Sequence, residues 1–237
     1  EVVGEHYYHF GGVSPLNALN REIIDHLEVE LKKRGHNLPV YFGNRNWHPF
    51  ASETAEKMSQ DGVRKVAVFA TSAWGGYSAC RQYDEDIQQM REHLAEQGLP
   101  DIEFTKIRQF FDHPKFVAEM AAAVTEVWGE VPEEKKESTR LLFTAHSVPV
   151  VYDNVGGAEG DKNLYSRQVA EASRLVAARA GISDYDLVWQ SRSGNPRTPW
   201  LEPDIVDYTT DIHHNEGIDT VVVLSLIHIS EPTRPER

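Results

Sequence analysis

Short apolar, β-branched runs alternate with longer stretches of helical period along this chain, and that alternation limits the fold more than any other feature. The runs are LPVYFGN (38–44), RKVAVFATS (64–72), IEFTKIRQF (102–110), TRLLFTAHS (139–147), DLVWQSRS (186–193) and DTVVVLS (219–225). Runs of this kind suit strands covered on both faces, as in a parallel sheet. Between them the periodicity predicts helices. Leu16, Leu19, Ile23, Leu27 and Leu31 recur at helical spacing after Ser14-Pro15, with Gly35 as a stop. Tyr83, Ile87, Met90 and Leu94 form a second stripe within 81–96, and further helices are expected at 49–61, 114–128, 163–180 and 203–216. This alternation predicts α/β architecture with right-handed crossovers. Six strands could form one sheet, or two smaller Rossmann-like units meeting near FFDHP (110–114). Two units, 1–110 and 111–224, are favoured because a ligand then sits in a cleft at the strands' carboxyl ends.

Composition narrows the partners. No apolar run approaches the ~20 residues that cross a bilayer. The N-terminus EVVGEHYYHF lacks a basic start followed by an apolar stretch, so it does not read as a secretory signal. It also lacks an initiator Met, which suggests that the sequence begins partway into a protein. One cysteine, Cys80, allows no internal disulfide and fits a reducing compartment. The net charge of −13, with Lys and Arg scattered, argues against a nucleic-acid partner. These features describe a cytoplasmic monomer acting on something small. After VVVL the sequence becomes SLIHISEPTRPER, with two prolines and no helical period. Residues 225–237 therefore read as a non-native tail, with a genuine disordered C-terminus as the alternative, and no functional role is assigned to them.

Common cofactor signatures are missing. Gly11-Gly12, Gly75-Gly76 and Gly156-Gly157 are isolated pairs that make neither G-x-G-x-x-G nor a P-loop. Neither HExxH, a paired-cysteine zinc site nor a G-x-S-x-G elbow occurs. Polar residues do gather at the expected strand ends. His146 and Ser147 follow the apolar run LLFTA. A neutral imidazole placed there can ligate a borderline metal such as Fe²⁺ or accept a proton, or it can simply satisfy backbone groups at a strand end. In ATSAWGGYSACRQYDED (70–86), glycines beside Trp74, Tyr77 and Tyr83 suit either a flexible loop offering flat faces to a planar ligand or an ordinary loop leading into a helix. In QSRSGNPRTPWLEPD (190–204), Arg192 and Arg197 could meet carboxylates, or the stretch could be a Pro/Gly turn region. Ser14, in HFGGVSP (9–15), is on general grounds a helix N-cap.

Taken together, these segments resemble the ferrochelatases, most closely the coproporphyrin ferrochelatases of actinobacteria. The resemblance runs in order through GEHYYHFGGVSPLNALN, LPVYFGNRNWHPF, TSAWGGYSACRQYDEDI, FFDHPKFV, FTAHSVP and QSRSGNPRTPWLEPD. It implies two Rossmann-like domains with parallel sheets clasping a porphyrin, and insertion of Fe²⁺ from one face. It implies His146 as the catalytic, iron-binding residue that helps to remove pyrrole protons, and Ser14 and Tyr83 as porphyrin contacts. Asn44, Arg45 and Trp47 match a cleft segment able to meet propionates. The reaction needs no redox or nucleotide cofactor, and Fe²⁺ is a substrate.

The same resemblance marks Cys80 as the isolated ligand position of a [2Fe–2S] cluster carried by some members, against a free cysteine packed at a helix start. The other three cysteines would lie beyond this sequence. The family's acidic partner of the histidine is expected after VVVL, where SLIHIS stands instead, and Glu231 in the tail is not given that role. A first strand with its glycine-rich loop is expected before Glu1. The implied function is ferrochelatase activity on coproporphyrin III in haem biosynthesis. Protoporphyrin IX as substrate and porphyrin binding without turnover are the alternatives, and a nucleotide-binding α/β domain is a third reading that lacks its glycine loop.

Overall fold

Every strand pairing in the two sheets is parallel, as the alternation requires. The computed structural model describes Gly12 and residues 16–76, 81–157, 160–193, 195 and 197–226. Its first part comprises α1 (Leu16–Lys33), α2 (Ala51–Gln60), β1 (Lys65–Val68), α3 (Gln82–Glu96) and β2 (Glu103–Lys106). Strands β1 and β2 pair from Lys65 opposite Glu103 to Val68 opposite Lys106. Behind them α2 packs on α3, burying Ala55 and Met58 against Met90, Leu94 and Ile102. Met90 and Leu94 belong to the predicted stripe of α3, so the period-3.6 pattern marks its buried face correctly.

The second part runs α4 (Pro114–Glu130), a 3₁₀ turn (Glu133–Ser138), β3 (Thr139–His146), α5 (Val150–Asn154), α6 (Leu164–Ala180), β4 (Tyr185–Gln190), α7 (Ile205–Glu216) and β5 (Thr220–Ser225). The sheet order is β4-β3-β5. Central β3 buries Leu141, Leu142, Phe143 and Ala145 completely. Each such large side chain stabilises by roughly 1.5–3 kcal/mol. Helices α4 and α6 pack against each other and bring Val117, Met120 and Val124 together with Val169, Ala172 and Val176 into one core.

Helix boundaries follow local chemistry. Pro114 opens α4, with His113 Nδ1 accepting the Lys115 N–H at 3.3 Å. Asp204 caps α7 by accepting the Val206 N–H at 2.8 Å, and Gly217 ends the helix at φ 71°. Helix α6 starts differently. Asn163, just before it, sits at φ 59°, and its own side chain caps nothing in the helix. The carboxylate of Asp153, on α5 and 1% exposed, serves instead. It accepts the Ser166 N–H (3.1 Å), the Ser166 hydroxyl (2.6 Å) and the Asn163 amide (3.0 Å). A negative group at a helix N-terminus is also favoured by the macrodipole.

Two expectations need correction. Residues 38–44 form no strand: Pro39 cannot donate to a ladder, Leu38 is exposed, and only Asn44 is bridged, to Phe50. The other predicted strands survive in shorter form, as Lys65–Val68, Glu103–Lys106, Thr139–His146, Tyr185–Gln190 and Thr220–Ser225. Ser225, the first residue of the tail, closes β5, and Leu226 is fully buried, donating its N–H to Thr144 O at 2.8 Å.

At the amino end of β3, Arg140 meets three carboxylates: Asp186 at 2.7 Å, Glu216 at 2.9 Å and Asp184 at 3.4 Å. Burial and a hydrogen bond with Asp186 push the Tyr208 hydroxyl beside them up to about 12. Arg140→Met would leave these carboxylates facing one another. Loss of one partner from a buried pair costs about 3–5 kcal/mol, and partial hydration of Asp184 and Glu216 should bring this to about 2–3 kcal/mol, read from urea midpoints. Asp153→Ala should cost about 1–2 kcal/mol by the same measurement, because the first turn of α6 loses its cap. An unchanged midpoint in either variant would contradict its assignment.

Candidate functional site

Strand β3 meets solvent at its carboxyl end through His146, which is exposed while the five residues before it are buried. The next residue turns back into the protein. Ser147 is buried, receives support from Gln190 O for its N–H (2.7 Å), and donates its hydroxyl to Leu201 O (2.8 Å). Val150 N–H to Pro199 O and Leu201 N–H to Val148 O, both 3.0 Å, join the loops that follow β3 and β4. Ser147 is therefore a structural tie, and His146 is the exposed polar side chain at this strand end.

The imidazole is oriented. His146 Nδ1 lies 2.5 Å from Ser147 O, a contact that is a hydrogen bond only when Nδ1 carries the proton. In a neutral ring that proton leaves the lone pair on Nε2, where it can meet a metal or a proton. The carbonyl of His146 accepts the Tyr165 hydroxyl at 2.9 Å. Tyr165 lies in the first turn of α6, its ring tilted against Trp189 with centroids 5.7 Å apart. Burial, with Asp153 adding to it, raises the Tyr165 hydroxyl far above the ordinary phenol range, so it remains a neutral donor.

The loop after β1 comes to the same place. Ala73 and Trp74 are buried, Trp74 lying edge-on to Phe116 at 6.3 Å. Gly75 donates its N–H to Gln168 Oε1 at 2.5 Å. A Cβ on Gly75 would stand 2.6 Å from Leu164 Cδ2, and one on Gly76 (φ 128°) would stand 3.2 Å from Tyr165 Cβ. These glycines permit close backbone approach to α6 rather than loop freedom. Trp74, expected as a stacking face for a planar ligand, is part of the core instead, because its edge fills the space beside Phe116.

Tyr83 stands elsewhere, half-buried on α3 beneath the guanidinium of Arg45, 5.4 Å from the ring centroid. Arg45 is held by Asp86 at 2.7–3.0 Å and by Gln82 at 2.9 Å, so its charge is already partnered. Asn44 reaches His48 O at 3.2 Å, and Trp47 is largely exposed. Arg192 lies 3.7 Å from Glu202. Ser14 and Cys80 fall outside the described residues. The structure thus gathers His146, Tyr165, Gly75 and Gly76 into one cluster and places Tyr83 with Arg45 in another.

Among the described residues no group of three or more His, Cys, Asp or Glu side chains is arranged to hold a metal ion. A [2Fe–2S] cluster takes four ligands, normally cysteines, whereas this chain contains one cysteine. The residues present do not fit that group, and no step is derived through it. Sequence reasoning missed Tyr165, Gln168 and Asp153. Tyr165 opens a predicted helix as an ordinary half-buried aromatic, and nothing local shows that its hydroxyl reaches a carbonyl 19 residues earlier. Asp153, in VVYDN, carries no motif at all.

The ferrochelatase family model matches residues 1–232. A coproporphyrin III ferrochelatase of Corynebacterium glutamicum is 57% identical over 231 residues, which is 98% of this chain and 62% of that protein. Its counterpart in Corynebacterium diphtheriae is 56% identical over 98% of this chain and 64% of the relative. That of Mycolicibacterium smegmatis is 52% identical over 98% and 66%. The chain spans less than two thirds of the length of these curated relatives. With a family match that runs through both parallel sheets and the strand bearing His146, this chain belongs to the ferrochelatase family.

Proposed function

We propose that this chain inserts Fe²⁺ into coproporphyrin III, yielding Fe-coproporphyrin III and two protons, with His146 as the residue that handles the metal and takes a pyrrole proton. The observation that carries this reading is the placement of the imidazole. It stands exposed at the carboxyl end of a buried strand with Nδ1 2.5 Å from Ser147 O, and in the neutral ring that hydrogen bond leaves the lone pair on Nε2. Open α/β sheets present ligand-handling groups at that end.

Metallation requires the macrocycle to bend so that its nitrogen lone pairs become accessible, and to release both N–H protons as iron enters. A neutral imidazole can accept one of them near neutral pH. Holding the porphyrin by its rim allows binding energy to favour the bent form. Tyr83 supplies an aromatic face for that rim, with Ser14 as a second contact. Arg45 keeps Tyr83 in place from above, while its own pairing with Asp86 limits what it can offer a propionate. The substrate is taken as coproporphyrin III rather than protoporphyrin IX because the curated relatives at 52–57% identity bear that name. Two Rossmann-like units divided near Phe110 would form the cleft. Iron here is substrate, and no further cofactor is invoked. No helix among the described residues is long and apolar enough to cross a membrane, and the single cysteine fits the cytoplasm.

The test is anaerobic incubation of the chain with Fe²⁺ and coproporphyrin III, following the shift of the Soret band. His146→Ala should slow metallation by roughly 10²-fold or more, the usual size of a general acid–base contribution, while porphyrin still binds. Equal rates for parent and variant would remove His146 from the mechanism. Porphyrin binding by the parent without metallation would reduce the proposal to binding alone. In competition, kcat/KM should be higher for coproporphyrin III than for protoporphyrin IX, and the reverse order would reassign the substrate.

A further inference from the structure

The peptide unit between His146 and Ser147 is gripped from both sides. On one side the Tyr165 hydroxyl donates to the His146 carbonyl at 2.9 Å. On the other the Ser147 N–H donates to Gln190 O at 2.7 Å. The two bonds come from different elements, the first turn of α6 and the end of β4, and reach the carbonyl and the N–H of the same peptide, so together they fix its plane. The plane matters because the carbonyl that receives the His146 Nδ1–H is the next one along, on Ser147. Rotation of the 146–147 peptide would move that acceptor away from the ring. The protonated nitrogen of a neutral imidazole is set by the hydrogen bond that its other nitrogen makes or lacks, so a moved acceptor means a mixed tautomer.

We infer that Tyr165 is a positioning residue for His146, acting through the backbone: its hydroxyl holds the 146–147 peptide so that Nδ1 keeps the proton and Nε2 faces the substrate as a lone pair.

Tyr165 is itself held firmly. Its ring lies against Trp189, which is 4% exposed. Gly76 packs on its Cβ, in a position where any side chain would crowd it. The neighbouring Ser166 is bound through both N–H and hydroxyl by the buried Asp153 carboxylate. Packing thus fixes the ring and the Cβ, and the hydroxyl donates to the histidine carbonyl. This inference rests on the role proposed for His146, and the experiment below separates failure of one from failure of the other.

Tyr165→Phe in the full chain removes the hydroxyl and keeps the ring. With Fe²⁺ and coproporphyrin III, kcat should fall roughly three- to tenfold, the size expected for loss of one ordinary hydrogen bond in an orienting network, with KM for porphyrin unchanged. In ¹⁵N-histidine NMR spectra, the His146 ring should change from the Nδ1–H form to a mixture of the two tautomers. Trp189→Phe serves as the packing control: it disturbs the same wall but keeps the hydroxyl, and should lower the unfolding midpoint without moving the tautomer. A Tyr165→Phe variant with parental kcat and a parental ring spectrum overturns the inference, as does a Trp189→Phe variant whose spectrum shifts equally. The spectrum needs no turnover. A chain that does not metallate porphyrin but shows the tautomer shift would therefore keep the positioning role while rejecting the proposed reaction.

Discussion

Because β3 is hydrogen-bonded along both edges and covered on both faces, it can present polar groups to water only at its ends. The two positions where this happens are Arg140 and His146, and they meet the requirement in opposite ways. At the amino end the half-buried guanidinium meets three carboxylates, which balance its charge. At the carboxyl end the imidazole is left exposed, with Nδ1 against the Ser147 carbonyl. A side chain carried by a central strand inherits the strand's rigidity, which loop-borne groups lack.

The rest of the site depends on the first turn of α6. That turn carries Leu164 and Tyr165 and leads directly to Gln168. These three side chains meet Gly75, the His146 carbonyl and the Gly75 N–H. The loop after β1 is drawn onto the second sheet's core by the same contacts. An aromatic series, Phe69 to Phe110 at 5.5 Å, Phe110 to Phe116 at 5.3 Å and Phe116 to Trp74 at 6.3 Å, runs along that junction. Residues from the first part of the chain therefore pack on the helix turn whose tyrosine meets the His146 carbonyl, although among the described residues the strands of the two parts do not pair. Asp153 stands behind the whole arrangement, since it supplies the cap that the local sequence of α6 does not.

Legibility in the sequence varied with the range of the interaction. The helices at 16–33, 82–96, 114–130 and 164–180 were readable because a 3.6-residue apolar period and the flanking Pro or Gly act over neighbouring turns. The strand ending at His146 was readable because five consecutive buried residues leave a continuous apolar run. Residues 38–44 looked similar but contain Pro39, and the chain there bridges locally through Asn44 and Phe50 instead. Trp74 could not be told from a ligand-facing aromatic, because the neighbour that buries it, Phe116, comes from a different element 42 residues further on.

By itself, then, the sequence determined the α/β class, the place of His146 at a strand end and, through its ordered motifs, membership of the ferrochelatase family. Those properties follow from short-range periodicity and from residues adjacent in the chain. Only the tertiary structure decided which nitrogen of His146 lies against a backbone carbonyl, that Gly75 and Gly76 are close-contact points, and that Tyr165, Gln168 and Asp153 belong to the same cluster. Each of those depends on hydrogen bonds or packing between separate elements, and such distances have no trace in local composition. The histidine is a property of the sequence; its orientation is a property of the fold.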